Sequence, residues 1–360
     1  MKILHITAIN TLLARSGIPA VVRGLCDHQN MIDGIEARVL SLRANAKEAD
    51  SPYFDNLGDK SFKEYVSIFM PDIVIIHDFY YSQYSPIAFC LKRLHIPFVI
   101  EPHGAFGRQA MKKSRIKKFV ANNTIFRILI RGSVGFIFTN EGEKNDAAYR
   151  KNKMVVIPNG VEENAVDNLP TKSFDNGKEP IFYFLGRYDI NHKGLDYLFD
   201  ALDVLDARGE QIIVNMYGVG SENELAYIHG RIEKIRNLKV EDKGTIYDDE
   251  KVKALRNANI LLLTSRYEGS PMTILDALSY GNPCLVTPGT NVADDILRNN
   301  LGWKTELKAE AIADCILKAR DDYKKNFAAY YASCRHYVLE NFLWDKIAQQ
   351  SVKIYSDFIS

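Results

Sequence analysis

Arg187 and Lys193 lie six residues apart in the stretch GRYDINHKG, between the apolar run Ile181 to Leu185 and a helical pattern that begins near Gly194. A guanidinium grips two oxygens at once and an ammonium adds a compact charge. Beside a helix N-terminus the two therefore suit a diphosphate held without metal. Two solvated surface cations are the plainer alternative. A second stretch, RYEGSPMTILDALSYGNP from Arg266 to Pro283, follows the apolar run Ile260 to Leu263. There Ser270 is expected as N-cap and Pro271 at the first helical position, while Gly281 and Asn282-Pro283 stop the helix. Gly269, Ser270, Pro271, Met272 and Thr273 thus line a helix start whose free N–H groups favour an anion. Glu268 precedes that start, and Asp276 follows Glu268 by eight residues. A carboxylate beside a phosphate needs something else to face, such as sugar hydroxyls. Otherwise Glu268 is a surface residue and Asp276 a solvated one.

Three further loops carry chemistry. Pro102-His103-Gly104 follows the expected strand Phe98 to Glu101. An imidazole there can hydrogen-bond a substrate hydroxyl or assist proton movement, or it is simply a hydrogen-bonded loop histidine. His77 ends its own strand in the same way, and for it a structural role is the simpler account. Gly17, after Arg15-Ser16 and ahead of Pro19, either lets the backbone approach an anionic ligand or is a turn glycine. Gly186 opens the GRYD loop, and Gly218-Val219-Gly220 reads first as a turn. Tyr80, Tyr81 and Tyr84 follow a strand and either stack on a sugar or form a loop cluster. No known metal pattern, nucleophile elbow or full G-x-G-x-x-G fingerprint is present, which leaves chemistry run by cations, backbone amides and polar side chains.

These loops need strands behind them. Apolar runs recur with helical stretches between, the pattern of a doubly wound α/β sheet. Strands are expected at Lys2 to Thr7, Ala37 to Ser41, Ile73 to His77, Phe98 to Glu101, Gly135 to Thr139 and Val155 to Ile157. A second series runs Ile181 to Leu185, Ile212 to Tyr217, an extended piece around Thr245-Ile246, Ile260 to Thr264 and Cys284 to Thr287. Helices are expected from near Pro19 and over Gly194 to Arg208. The polar, Pro- and Gly-bearing segment 164–180 between the two series reads as a linker. The expected organisation is therefore two Rossmann-like domains, 1–163 and 181–340, facing a cleft. An amphipathic helix over 341–360 is expected to return to the first domain. Ligands of such sheets sit at the carboxyl ends of strands.

The bulk properties exclude several classes. The chain has 360 residues, 46% hydrophobic and 25% charged, with a net charge of +1, so nothing global points to nucleic acid. Its five cysteines are scattered and lack C-x-x-C spacing, which fits a reducing cytoplasm better than a disulfide framework. No apolar stretch approaches the length of a transmembrane helix.

In their order these loops resemble the retaining nucleotide-sugar glycosyltransferases of the GT-B fold, in the large fourth family ("glycosyl transferases group 1"). The resemblance runs from the Gly17 loop through His103-Gly104, Ile157-Pro158-Asn159-Gly160-Val161, Gly186-Arg187 with Lys193-Gly194, and Glu268-Gly269-Ser270-Pro271 to Phe342 and Trp344. It implies that Arg187 and Lys193 bind the donor diphosphate and that His103 contacts the donor sugar near the reacting carbon. It further implies that Glu268 binds hydroxyls of the transferred sugar, with the amides of Ser270 to Thr273 nearby, and that the residue at Asp276 binds the nucleotide ribose. The chain departs from the family pattern in two places. Asp276 stands where glutamate is usual, one methylene shorter, which draws its oxygens back by about 1.5 Å. Ser16-Gly17 stands where many members have two glycines.

The implied activity is transfer of a hexose-type sugar, with retention, from a nucleoside-diphosphate-sugar to a hydroxyl acceptor, without cofactor or metal. The acceptor is expected to be a lipid-linked or polysaccharide intermediate of cell-surface glycan synthesis. A non-catalytic nucleotide-sugar-binding protein and a GT-B sugar-nucleotide epimerase are the alternatives. Between Arg108 and Arg131 stand eight Lys or Arg residues (108, 112, 113, 115, 117, 118, 127, 131) and no acid, interleaved with apolar residues. Such a segment either lies on an anionic membrane surface or is a core helix with a solvated basic edge, with Ile128 to Ile130 buried in both cases. The expected location is cytoplasmic, at the inner face of the cell membrane if the segment touches lipid.

Overall fold

The computed structural model describes residues 1–9, 17–43, 51–112, 115–162 and 172–359, with the backbone alone for 109, 112 and 115. Arg15 and Ser16 of the first loop, Lys113 of the basic segment and 164–171 of the expected linker lie outside the described residues. The chain forms two units, Met1–Val161 with Phe342–Ser360, and Glu162–Asn341.

The first unit is a seven-stranded sheet in the order β3-β2-β1-β4-β5-β6-β7, with every pairing parallel. Its strands are β1 (Lys2–Thr7), β2 (Glu36–Ser41), β3 (Phe54–Asp55), β4 (Ile73–His77), β5 (Phe98–Glu101), β6 (Gly135–Phe138) and β7 (Met154–Val156). The expected spans of β1, β4 and β5 coincide with the observed ones. These are the central strands, and burial on both faces makes them continuous apolar runs that are easy to see in sequence. β3, only two residues long, offered no such run.

The end of the chain belongs to this unit. Helix Trp344–Ile359 packs on helix Ile18–Gln29, and backbone bonds between Val161 and both Phe342 and Trp344 lead the chain in. Trp344 is buried where Gly24 and Gly160 flank its indole, and a Cβ at either glycine would overlap the ring. The two glycines and the tryptophan form one packing unit, although 136 and 184 positions of sequence separate Gly160 and Trp344 from Gly24 and Gly160 respectively.

The second unit is a six-stranded, all-parallel sheet in the order β10-β9-β8-β11-β12-β13. Its strands are β8 (Ile181–Arg187), β9 (Ile213–Val219), β10 (Lys239–Asp242), β11 (Ile260–Leu263), β12 (Cys284–Val286) and β13 (Gly302–Lys304). The strand expected around Thr245-Ile246 is corrected to β10, six residues earlier at its start. β10 is an edge strand bearing Lys239, Glu241 and Asp242, and it turns only Val240 fully inward, so no apolar run marks it. The C-terminal part of the expected linker is also packed. Lys172 is half-buried, its Nζ donating to Asn282 Oδ1 at 2.6 Å and to the Ala258 carbonyl, and Phe174 meets the Tyr323 ring edge-on at 5.1 Å. The long helix Ala309–Asn341, broken by non-helical dihedrals at Asn326, covers helix Leu195–Ala207.

Trp344→Ala removes the buried indole and leaves the space between Gly24 and Gly160 empty. We expect it to destabilise the first unit by about 3–5 kcal/mol in chemical denaturation.

Candidate functional site

In both sheets the strand order reverses at one place, β1/β4 in the first and β8/β11 in the second, and the candidate residues gather at the carboxyl ends there. In the second unit β8 pairs with β11, so the loops that follow these strands are neighbours. Gly194 is left-handed (φ 61°), and a Cβ on it would run into the Thr264 carbonyl. The two loops thus touch at backbone level, and the Thr264 hydroxyl seals the contact by donating to the carbonyls of Lys193 and Gly194, each at 3.2 Å. Arg266 N–H adds a bond to the His192 carbonyl at 2.9 Å.

This contact brings Lys193 Nζ to 2.6 Å from Glu268 Oε1, with the two side chains only 11% and 8% exposed. Ser265 Oγ donates to the same carboxylate oxygen at 2.5 Å, and His192 Nε2 stands 3.7 Å from the other. The His192 ring stacks on Tyr267 at 4.2 Å, and burial lowers its pKa against the pull of Glu268. The Glu268 carbonyl accepts from Asn291 Nδ2 at 2.6 Å. Glu268 is therefore not a loose surface residue but is held from four sides. Arg187 is exposed at the end of β8, near enough for its charge to bear on Tyr267. Gly186 and Gly218 are register partners in the β8–β9 pair.

The helix after this loop runs Met272–Ser279, and its cap is Pro271, not Ser270. The correction is one residue: Pro271 has extended dihedrals (φ −71°, ψ 109°) and no N–H, so it takes the non-helical cap position and no side chain caps the helix. The Thr273 hydroxyl in the first turn is buried and has no hydrogen-bond partner among the described residues. Asp276 is not a freely solvated carboxylate. Its Oδ2 is 2.7 Å from Lys251 Nζ, contributed by helix Asp248–Asn257.

In the first unit Gly17 (φ 67°) caps helix Ile18–Gln29, without a side-chain cap. His103 follows β5 in a left-handed conformation (φ 46°), unusual for a residue with a Cβ and costly unless its surroundings impose it. Those surroundings are polar and dry. His103 Nε2 is 3.0 Å from His77 Nδ1, and His77 Nε2 is 2.8 Å from His5 Nδ1. Glu101 lies 3.3 Å from His77 Nδ1 and 3.5 Å from His103 Nε2. Burial pushes the Glu101 carboxyl up to about 8, with the Glu143 charge adding to the shift, while burial pushes His103 down to about 4. Glu143 itself accepts from the Gly104 N–H at 2.6 Å and from Thr139. By composition and spacing, His77, Glu101 and His103 are the group able to hold a metal among the described residues.

Sequence reasoning singled out Lys193, Glu268 and His103 but not the partners that lie against them. His192 was signalled by adjacency to Lys193, and Glu101 by its place at a strand's carboxyl end. His5, Gln29 and Lys251 carried no local signal. Tyr84 is corrected from a stacking candidate to a core residue: it is fully buried, and its hydroxyl accepts from the Ala8 N–H and donates to the His77 carbonyl. Tyr80 packs edge-on against Phe79 and Phe126. In the basic segment Leu129 is buried, whereas Ile128 and Ile130 are only partly so. Helix Arg115–Asn123 turns Ile116, Phe119 and Val120 outward, 80%, 68% and 54% exposed.

Comparison with known proteins bears on these arrangements. The family described as "Glycosyl transferases group 1" matches residues 165–333, and "Glycosyltransferase Family 4" matches residues 13–165. A mannosylfructose-phosphate synthase of Agrobacterium fabrum is 34% identical over 111 residues, which are 29% of this chain and 24% of that protein. A lipopolysaccharide 1,6-galactosyltransferase of Escherichia coli is 29% identical over 167 residues, 41% of this chain and 43% of that one. The matches thus span less than half the length of these two relatives. A solved structure, Anabaena Alr3699/HepE in complex with UDP and glucose, has a TM-score of 0.73 at 16% identity over 99% of this chain and 100% of that one, a likeness of fold.

Because burial raises the Glu101 pKa to about 8 from about 4.3 in an unfolded chain, the folded state keeps a proton between those values that the unfolded state releases. This group's contribution to stability is therefore complete at low pH and lost as pH rises towards 8. Glu101→Gln removes it. In denaturation series across pH, the stability of Glu101→Gln relative to wild type is expected to rise over that window and then level off.

Proposed function

We propose that this chain, which belongs to the family 4 glycosyltransferases of the GT-B fold, moves a hexose-type sugar from a nucleoside-diphosphate donor to a hydroxyl acceptor with retention and without a metal. The observation that carries this reading is the convergence of Lys193, Glu268 and the uncapped start of helix Met272–Ser279 at the β8/β11 switch point, with Arg187 beside it. Lys193 spends one of its three donors on Glu268, which leaves two for phosphate oxygens. The exposed guanidinium of Arg187 supplies a fork for the same diphosphate. As the sugar–oxygen bond breaks, negative charge grows on the leaving diphosphate. Donors of the second unit answer it: Lys193, Arg187 and the amides following Gly269.

A carboxylate offers only acceptors, so Glu268 suits sugar hydroxyls, and Lys193 sets a positive charge beside it where the anionic diphosphate is to lie. The acceptor hydroxyl attacks the anomeric carbon from the face the diphosphate leaves, and its proton passes to the departing phosphate oxygen. Atoms balance without a protein nucleophile. Lys251 holds Asp276 where a ribose contact is implied by resemblance, so ribose binding at this position runs through an ion pair or a bridging water. A UDP- and glucose-bound structure of the same fold supports a nucleotide-sugar donor. A lipopolysaccharide-modifying relative supports an acceptor in cell-surface glycan synthesis.

A lipid-linked acceptor also fits helix Arg115–Asn123. Its exposed Ile116, Phe119 and Val120 beside Lys117 match an anionic bilayer, where each basic residue near the surface adds about 1 kcal/mol. No described helix is long and apolar enough to cross a membrane. The protein is expected to co-sediment with phosphatidylglycerol vesicles and not with phosphatidylcholine vesicles, and Phe119→Glu is expected to abolish this. Binding unaffected by vesicle charge or by the substitution would remove the membrane from the reading.

For the chemistry, Lys193→Ala is expected to lower transfer by roughly a hundredfold or more, the scale of losing one charge-stabilising group. Assays with UDP-, GDP- and ADP-sugars, on protein whose circular dichroism matches wild type, check this. Turnover near wild type would refute the role. Donor turnover without acceptor would favour an epimerase, and donor binding without turnover a binding protein.

A further inference from the structure

A line of buried polar groups crosses the first unit and ends at His103, and its proton positions follow from its far end. Ser351 Oγ, on helix Trp344–Ile359, donates to the Ala348 carbonyl at 2.7 Å. Its hydrogen is thereby spent, so it receives the Gln29 amide nitrogen at 2.8 Å, and this fixes which way the amide faces. Gln29 Oε1 then points at His5 Nε2, 2.8 Å away, and being an acceptor it requires a hydrogen on that nitrogen. His5 is fully buried, and among the described residues its ring nitrogens meet a neutral amide and another imidazole, so it is neutral and its Nδ1 is bare. That bare nitrogen, 2.8 Å from His77 Nε2, requires the hydrogen of His77 to be on Nε2. His77, likewise fully buried and with its one hydrogen on Nε2, offers a bare Nδ1 to His103 Nε2 at 3.0 Å.

We infer that this relay, from Ser351 through Gln29, His5 and His77, holds His103 as the Nε2–H tautomer and leaves its Nδ1 as a hydrogen-bond acceptor. Glu101 does not undo the assignment. Its carboxyl stands 3.3 Å from His77 Nδ1 and 3.5 Å from His103 Nε2, where an oxygen accepts from His103 Nε2–H with or without a proton of its own. In both arrangements the His103 hydrogen stays on Nε2. A bare Nε2 would set two lone pairs against each other across 3.0 Å. Among the described residues Nδ1 of His103 has no hydrogen-bond partner, so it is open to a donor such as a sugar hydroxyl. That last use rests on the glycosyl-transfer reading above, whereas the tautomer does not. Gln29, His5 and His77 are thus positioning residues, and the final helix of the chain supplies the fixed end of the line.

The test is side-chain nitrogen NMR of the full chain labelled at histidine, near neutral pH and without substrate. Wild type is expected to show His103 protonated at Nε2 only. His77→Leu removes the acceptor and is expected to release His103 into a mixture of tautomers, because the Glu101 carboxyl both donates and accepts. His77→Asn, whose side-chain oxygen can stand where Nδ1 stood, is expected to restore the single tautomer. Gln29→Met breaks the line further back, should His77→Leu fail to fold, and is expected to give a mixture too. His103 protonated at Nδ1 in wild type would overturn the inference, as would a single unchanged tautomer in Gln29→Met or His77→Leu. So would one zinc ion per purified chain that is lost in His77→Leu, since a metal rather than protons would then join His77, Glu101 and His103.

Discussion

An ammonium and a carboxylate removed from water at the same edge of a sheet each make the other tolerable, and in the second unit this constraint falls on Lys193 and Glu268. Either charge alone in that position would carry a desolvation penalty of several kcal/mol; together at 2.6 Å, with Ser265 and His192 around the carboxylate, they offset much of it. The pair can form only because Gly194 lets two loops meet at backbone distance, and the loops meet only because β8 and β11 are neighbours. Sheet order, glycine and ion pair are therefore one chain of dependence, and a change at any link moves the two charges.

The first unit meets the same cost of burial differently. Among the described residues no lysine or arginine bears on Glu101 or His103, so burial drives the groups towards their neutral forms: the carboxyl up, the imidazoles down. Neutral groups pack in a dry interior if every hydrogen finds an acceptor, and the line from Gln29 to His103 achieves this with one hydrogen per step. Charge balance in one unit and proton order in the other are two solutions to the problem of keeping polar chemistry out of water.

Trp344 ties the end of the chain to that second solution. Its indole, set between Gly24 and Gly160, anchors the helix that brings Ser351 to Gln29. The segment thereby fixes a polar line ending at a strand's carboxyl end, and packing of a single aromatic ring becomes a condition on hydrogen-bond geometry elsewhere in the unit.

From sequence alone, the α/β class, the central strands and the loops bearing Arg187, Lys193, Glu268 and His103 were legible, because double burial writes continuous apolar runs and the chemistry stands directly after them. β10 and the two-residue β3 were not, since an edge strand or a very short one needs little apolar sequence. Nor could the sequence show that Glu268 is clasped by Lys193, that Asp276 answers Lys251, or that Tyr84 is core. Each of those facts depends on distances between residues far apart in the chain, set by strand order and loop contact. The proton positions around His103 lie furthest from the sequence. They depend on Ser351, 248 residues beyond His103, and only folding brings that hydroxyl to the other end of the line.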